Sequence, residues 1–319
     1  MRTGTEKALA ALAGFAVTMG VSQSADGALV VYEGFQYSSV GDELQAVTSV
    51  DVAATGLAGA WSENLLNAQQ MFLKSGSLTF SNLPTAGNHV GYLSNQGNDI
   101  FTRNLDAAAQ TSLAGTGTAN GTIYISFLFE KLQNNFGADH EGLALMNGVL
   151  PASRWDGSNN PGASGRHGFA IANADGLNGS DLQIIAYDGT TGTRVVGGNG
   201  LPITVVNGGG NTSTSNQQVA MIVAEVSFNT GTGGADVFKL YRVTDDGSLD
   251  AGDLVLIDSI EADVDESMLS TLNVTRQVNV NYDEIRITTT LDEALGVPEP
   301  TSVALMGLGG LVLARRRRA

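Results

Sequence analysis

The run Glu261-Ala262-Asp263-Val264-Asp265-Glu266 places four carboxyl groups within six residues. Retaining hydrolysis of a glycosidic bond needs two carboxyl groups about 5 Å apart on one face, one acting as nucleophile and one as acid. On an extended strand Glu261 and Asp263 share a face, and Glu266 joins them only through a bulge. The run lacks flanking aromatic residues to stack a sugar, and Ser267-Met268-Leu269 begins a loop or a short helical turn. Glu261, Asp263 and Glu266 are therefore read first as a solvated acidic turn, with catalysis as the alternative.

A second acidic group, Asp245, Asp246, Asp250 and Asp253, lies in the stretch from Thr244 to Asp253. Several carboxylate and carbonyl oxygens in one loop suit calcium, the one cofactor the sequence raises. The ligand order is not that of a twelve-residue EF-hand loop, and a hairpin turn shaped by Asp and Gly is the simpler reading. The histidines are His89, His140 and His167, with no pair at helical metal-ligand spacing, so a zinc site is not expected. Asp139, His140 and Glu141 are read as a surface cluster. Trp155, set beside Arg154, Asp156 and Gly157 in a loop from Pro151 to Gly165, is the candidate sugar-stacking side chain, whereas Trp61 is assigned to the core. The Gly-rich segments carry neither a phosphate loop nor a dinucleotide fingerprint.

The elements that must position these residues are strands. Ile123, Ile125, Phe127 and Phe129 alternate with Thr122, Tyr124, Ser126 and Leu128, which predicts a core strand over Gly121 to Glu130. Strands are also predicted over Leu29 to Glu33, Ser77 to Phe80, Gly142 to Met146, Gly168 to Ala172 and Leu182 to Tyr187. Further along come Gln218 to Phe228, Val237 to Val243, Leu254 to Ile260 and Val278 to Thr288. Gly- and Asn-rich turns separate them, and no helical period persists. The expected body is all-β, an antiparallel two-sheet sandwich or jelly roll.

Formal charge is −16, from 16 basic and 32 acidic residues, and there are no cysteines. Setting aside Arg2, Lys7, Arg315 to Arg318, Glu6, Asp26 and Glu299 leaves 10 basic and 29 acidic residues, so the body is near −19. Such a surface repels nucleic acid and anionic lipid and favours divalent cations or cationic partners.

The two ends read as addresses. Arg2 and Lys7 precede an apolar run from Ala8 to Val21 and then small and polar residues, the order of a secretory signal cut between about Ser24 and Ala28. At the other end Val297-Pro298-Glu299-Pro300 is followed by an apolar stretch from Thr301 to Ala314 and by Arg315, Arg316, Arg317 and Arg318. As a helix those 14 residues would span roughly 21 Å, short of the ~30 Å hydrocarbon core, so the arginines must snorkel. The positive-inside rule then leaves Pro298, Glu299 and Pro300 on the exported side.

This tail resembles the PEP-CTERM sorting signal. The resemblance implies recognition and processing by an exosortase, in bacteria that commonly make extracellular polysaccharide. In the body, Tyr32-Glu33-Gly34-Phe35-Gln36-Tyr37, Trp61, the strand from Ile123 to Phe129, Gly142-Leu143-Ala144-Leu145 and Tyr282-Asp283-Glu284-Ile285-Arg286-Ile287 resemble the concanavalin A-like, laminin G-like jelly rolls of exported bacterial proteins. In that fold the first and last strands commonly pair. The resemblance would set Tyr32, Phe35 and Tyr37 near Tyr282 and let Arg286 pair with Glu33 or Asp283.

The expected organisation is a signal helix over 1–28, a sandwich over 29–290, a linker over 291–296 and a sorting tail with a short transmembrane helix over 297–319. The expected function is that of an exported, non-enzymatic protein of the cell envelope or extracellular matrix, passing through an inner-membrane intermediate. Its expected partners are the secretion machinery, signal peptidase, an exosortase-like enzyme and extracellular polysaccharide. A carbohydrate-binding module is the alternative. A laminarinase-type glycosidase, which carries a Glu-x-Asp-x-(x)-Glu strand, is a further one.

Overall fold

The computed structural model describes residues 28–47, 54–65, 71–91, 99–131, 141–149, 166–173, 181–189, 193–202, 219–244, 249–276 and 280–297. In chain order the first elements are β1 (Leu29–Glu33), β2 (Leu57–Leu65), β3 (Phe72–Ser75), β4 (Asn88–Gly91) and β5 (Asp99–Leu105), followed by α1 (Ala107–Thr118). Next come β6 (Thr122–Lys131), β7 (Gly142–Met146), β8 (Gly168–Ala172), β9 (Asp181–Asp188), β10 (Thr193–Val196) and β11 (Leu201–Pro202). The last are β12 (Ala220–Ser227), β13 (Asp236–Val243), β14 (Leu254–Ala262), β15 (Thr271–Arg276), β16 (Val280–Thr288) and α2 (Leu291–Ala294).

Among the described residues these strands form two eight-stranded antiparallel sheets, an all-β sandwich of the expected jelly-roll class. The first runs β14-β13-β12-β6-β16-β4-β3 with β1 also on β16, and the second runs β10-β9-β8-β7-β15-β5-β2 with β11 also on β9. The first and last described strands pair, Tyr32 opposite Arg286 and Glu33 opposite Ile285.

Alternation explains the core. Ile123, Ile125, Phe127 and Phe129 of β6 point inward with Phe238 of β13, and Leu272, Val274, Phe169 and Ile171 meet them from the other sheet. The Phe169 and Phe238 rings lie 5.4 Å apart across the gap. The Tyr282 hydroxyl also bridges the sheets, accepting from the Gly142 amide (2.9 Å) and donating to the Thr275 carbonyl (2.7 Å).

Three expectations are corrected. Ser77 to Phe80 is not a strand. It belongs to a strap across the outside of the first sheet, where Leu78, Phe80 and Leu83 pack on Leu128, Met221 and Val223. Its alternation reflects packing on a sheet surface, and the Leu78 amide donates to Asp283 Oδ2 (2.8 Å) instead of to a neighbouring strand. The strands of that region are β3 and β4, each four residues long and too short to set a period.

The body is also not free of helix. α1 starts at Asp106, whose carboxylate accepts from the Ala109 amide (2.8 Å), and it buries only Ala109, Leu113 and Gly117. That face is too narrow and small to register as an apolar stripe. Finally, residues 291–296, expected as a linker, pack on the sandwich. Ala294 and Leu295 are buried, and the Ser126 hydroxyl of β6 donates to the Ala294 carbonyl.

Candidate functional site

Of the acidic run Glu261 alone of the three candidates lies on a strand, and Glu266 belongs to a turn. β14 ends at Ala262, opposite Asp236 of β13, and Ala262 and Val264 are buried while Glu261, Asp263 and Asp265 face solvent. Glu261 Oε2 accepts the Thr232 amide (3.0 Å). The bulge that catalysis requires is absent at this point, because Glu266 opens a 3-10 turn, Glu266–Met268, and leans over Gly117 of α1. Asp265 caps that turn through the Ser267 amide (3.0 Å), and its own amide donates to Nδ1 of buried His167 (3.1 Å).

The carboxylate enclosed here is Asp236, which sequence reasoning passed over. Its Oδ1 accepts the Asn229 amide and its Oδ2 the Val264 amide, both at 2.9 Å, so it clamps the β12–β13 turn to the end of β14. Burial pushes it up to about 6, the two amides lower it, and Glu266 and Asp263 raise it.

In the second acidic loop, Asp250 and Asp253 cap each other's backbone. Asp250 Oδ1 accepts the Gly252 amide (2.6 Å), and Asp253 Oδ2, on a buried side chain, accepts the Asp250 amide (2.9 Å). Asp245 and Asp246 lie outside the described residues, as do Trp155, Asp139 and His140. His89 bonds the Gly76 carbonyl through Nδ1, and burial lowers its pKa. Glu141 is buried just before β7.

The motifs that carry the jelly-roll resemblance form two polar clusters. In the first, Glu33 of β1 projects into the core and meets Arg103 of β5, an ion pair joining the two sheets at 2.5 Å. The same carboxylate accepts from the Phe35 amide (2.9 Å), the Tyr37 hydroxyl (2.9 Å) and the Trp61 indole (3.3 Å). Arg103 Nε donates to the Gly59 carbonyl (3.0 Å). Burial pushes the Glu33 carboxyl up, opposed first by Arg103 and then by Tyr37, Phe35 and Trp61. Trp61 is in the core as expected, stacked on Phe35 at 6.2 Å. Arg286 does not pair with Glu33. An inward carboxylate there needs an inward guanidinium, and β5 supplies it.

The second cluster lies on the outer face of the first sheet. A bulge between Asp283 and Arg286, with Glu284 at φ 50°, turns consecutive acidic residues outward and reverses the alternation of β16. Arg286 therefore pairs with Glu284 (2.8 Å), not Asp283. Tyr32 donates to Glu284 (3.2 Å) and lies under the Arg286 guanidinium at 5.7 Å, not against Tyr282. The Ala86 amide donates to Glu284 (3.2 Å) and Arg286 to the Pro84 carbonyl (3.2 Å), tying down the strap. Burial, with Glu284 beside it, pushes Asp283 up to about 8. Burial pushes Tyr32 up to about 12.

α2 docks beside this cluster and sets how the chain leaves the body. The Gly296 amide donates to the Glu293 carbonyl (3.0 Å) and the Val297 amide to the Asp292 carbonyl (2.8 Å), closing the turn with Gly296 at φ 68°. A Cβ there would run into Arg286 and Leu83. Val297 still packs on the outer apolar cluster, and the residues after it lie outside the described part, including Pro298, Glu299, Pro300 and Arg315 to Arg318.

No curated protein matches the chain in sequence. In three dimensions it is similar to the globular domain of T. cruzi calreticulin, with 9% identity, TM-score 0.45, and coverage of 91% of this chain and 99% of that one. It is also similar to lectin II from Ulex europaeus, with 12% identity, TM-score 0.39, and coverage of 82% and 99%. A third similar structure is a carbohydrate esterase from Shiga toxin-encoding bacteriophage phi24B, with 14% identity, TM-score 0.38, and coverage of 83% and 99%. Similarity at this level carries no ligand or activity across. Residues 296–318 match the family model described as the PEP-CTERM protein-sorting motif, so this chain carries a PEP-CTERM sorting signal that begins where the packed body ends.

Proposed function

We propose that the protein is a non-enzymatic sandwich of the cell envelope or extracellular matrix, exported through its N-terminal segment and sorted through residues 296–318. The observation that carries this reading is the sorting motif, which implies export to the envelope or surface and processing by an exosortase-type enzyme. In this reading the N-terminal segment is removed between about Ser24 and Ala28. The stretch from Thr301 to Ala314 then holds an inner-membrane intermediate, with Arg315 to Arg318 on the cytoplasmic side. Structural or adhesive duty among extracellular polysaccharide follows.

The non-enzymatic part is supported by the place of Glu266 in a turn beyond β14 and by the use of Asp236, Glu33 and Glu284 as internal fastenings. Asp250 and Asp253 act here as turn caps. Incubating the full chain with β-glucans and other polysaccharides tests this directly. No reducing ends should appear, and Glu261→Gln should change nothing; cleavage lost in that variant would establish a glycosidase.

A further inference from the structure

Hydrogen-bond donors without acceptors gather on the outer face of the second sheet. Directly opposed residues of antiparallel strands project to the same side. Tyr187 of β9 is opposite Gly168 of β8 on one flank and opposite Arg194 of β10 on the other. Arg166, two residues before Gly168 and just outside β8, lies on the same side, with its carbonyl against Gly189. This is the side turned away from the main core, since Tyr187, Ile185, Ala170 and Ala144 form a separate apolar cluster. Tyr187 and Arg194 thus stand side by side at the β10 edge of the sheet, with Arg166 on the same side and diagonal to Tyr187.

Their polar atoms are unmet. The Tyr187 hydroxyl, on a side chain 1% exposed, has no hydrogen-bond partner, and neither do the buried Nη1 atoms of Arg166 and Arg194. Leaving such a group unpaired costs about 1–3 kcal/mol, more for a charged one, so three in one row mark a place built for something else. Burial raises the Tyr187 pKa, and the charges of Arg194 and then Arg166 work against that rise, so both guanidiniums are within electrostatic reach of the hydroxyl. Four residues back on the same face of β9, Gln183 spends its amide N–H on the Gly197 carbonyl (2.7 Å) and leaves Oε1 buried and unaccompanied. Beyond the three donors lies a lone acceptor.

We propose that Arg166, Tyr187 and Arg194 bind an oxyanion carried on an acidic sugar, the carboxylate of a uronate or a sulfate ester, with Gln183 Oε1 accepting a sugar hydroxyl. Two guanidinium groups and a phenol supply donors that suit the oxygens of either group, and both arginines are only partly buried. A local cationic patch in a body near −19 selects a sparsely charged acidic glycan over a dense polyanion or a lipid surface. The assignment to a sugar rests on the matrix reading above; the oxyanion row does not.

The test is calorimetric titration of the full chain with four probes: a uronate-containing oligosaccharide, a sulfated oligosaccharide, the neutral oligosaccharide of the same backbone, and sodium sulfate. At least one acidic oligosaccharide should bind, roughly tenfold or more tighter than the neutral one, and Arg166→Gln and Arg194→Gln should each weaken it by about tenfold. Which acidic probe binds tighter tells carboxylate from sulfate ester. Without ligand both variants should melt no lower than the parent, because each removes an unpaired charge. Lower melting in both would show a structural pair instead. Tyr187→Phe, which conserves the buried ring, should weaken the same probe. Equal binding of acidic and neutral probes overturns the site but leaves the matrix reading. Arginine-dependent binding of sulfate alone keeps the oxyanion row and overturns its assignment to a sugar. Silence from all four probes overturns the proposal.

Discussion

Glu33→Gln keeps the shape of the side chain and removes the charge that four donors address: the Phe35 amide, the Tyr37 hydroxyl, the Trp61 indole and Arg103 Nη1. The pair sits between the sheets, with side-chain exposure of 2% for Arg103 and 0% for Glu33, so water cannot replace the lost partner. Breaking a buried pair from one side costs about 3–5 kcal/mol, because the surviving charge stays desolvated. In a domain of this size each kcal/mol moves the melting temperature by roughly 2–4 °C, so a fall of about 10 °C is expected. Thermal denaturation followed by Trp fluorescence reads it, since Trp61 lies in the cluster. Arg103→Met should cost a similar amount, and the double variant should cost clearly less than the two together. A Glu33→Gln protein within about 0.5 kcal/mol of the parent, or strictly additive variants, would refute the reading of this cluster as the tie between the sheets.

Asp283 should make stability depend on pH. Its folded value of about 8 stands above the ordinary 3.8, so the folded state holds the proton more tightly and stability falls as pH rises from about 4 to about 8. The full effect is on the order of 5 kcal/mol at 1.36 kcal/mol per pH unit; Asp283→Asn should flatten the profile, and an unchanged slope would contradict it. Asp250→Ala should lower stability by about 1 kcal/mol through loss of its cap. That loss should be the same with calcium or with chelator, and a calcium-dependent loss would show that the loop holds an ion.

The legible part of this fold is its long strands. β6, β12, β13 and β16 have residues enough to read as strands, β13 by alternation, and the pairing of β1 with β16 followed from the resemblance at the two ends of the body. β15 alternates too, Thr271, Asn273 and Thr275 against Leu272 and Val274, but two apolar residues are too few to stand out. Polar groups inside the sandwich broke the rule in the other direction. Glu33 and Arg103 read as surface residues until strands far apart in sequence bring them together. The bulge at Glu284 decides the partner of Arg286, and no composition signals a single residue at positive φ that is not Gly or Asn. The row of Arg166, Tyr187 and Arg194 was invisible for the same reason, since only the register of β8, β9 and β10 makes them neighbours.

The central claim, that a folded body is exported and then handed over at its C-terminal exit, is tested most directly by intact mass after cell fractionation. The parent protein should appear at the surface or in the medium shortened at both ends, near Ser24 to Ala28 and around Pro298, Glu299 and Pro300. With Pro298 and Pro300 both changed to Ala, it should remain in the inner membrane with its C-terminal tail intact, because the anchor persists and the extended recognition segment does not. If that variant reaches the surface with the mass of the parent, residues 296–318 do not act as a sorting signal and the account fails.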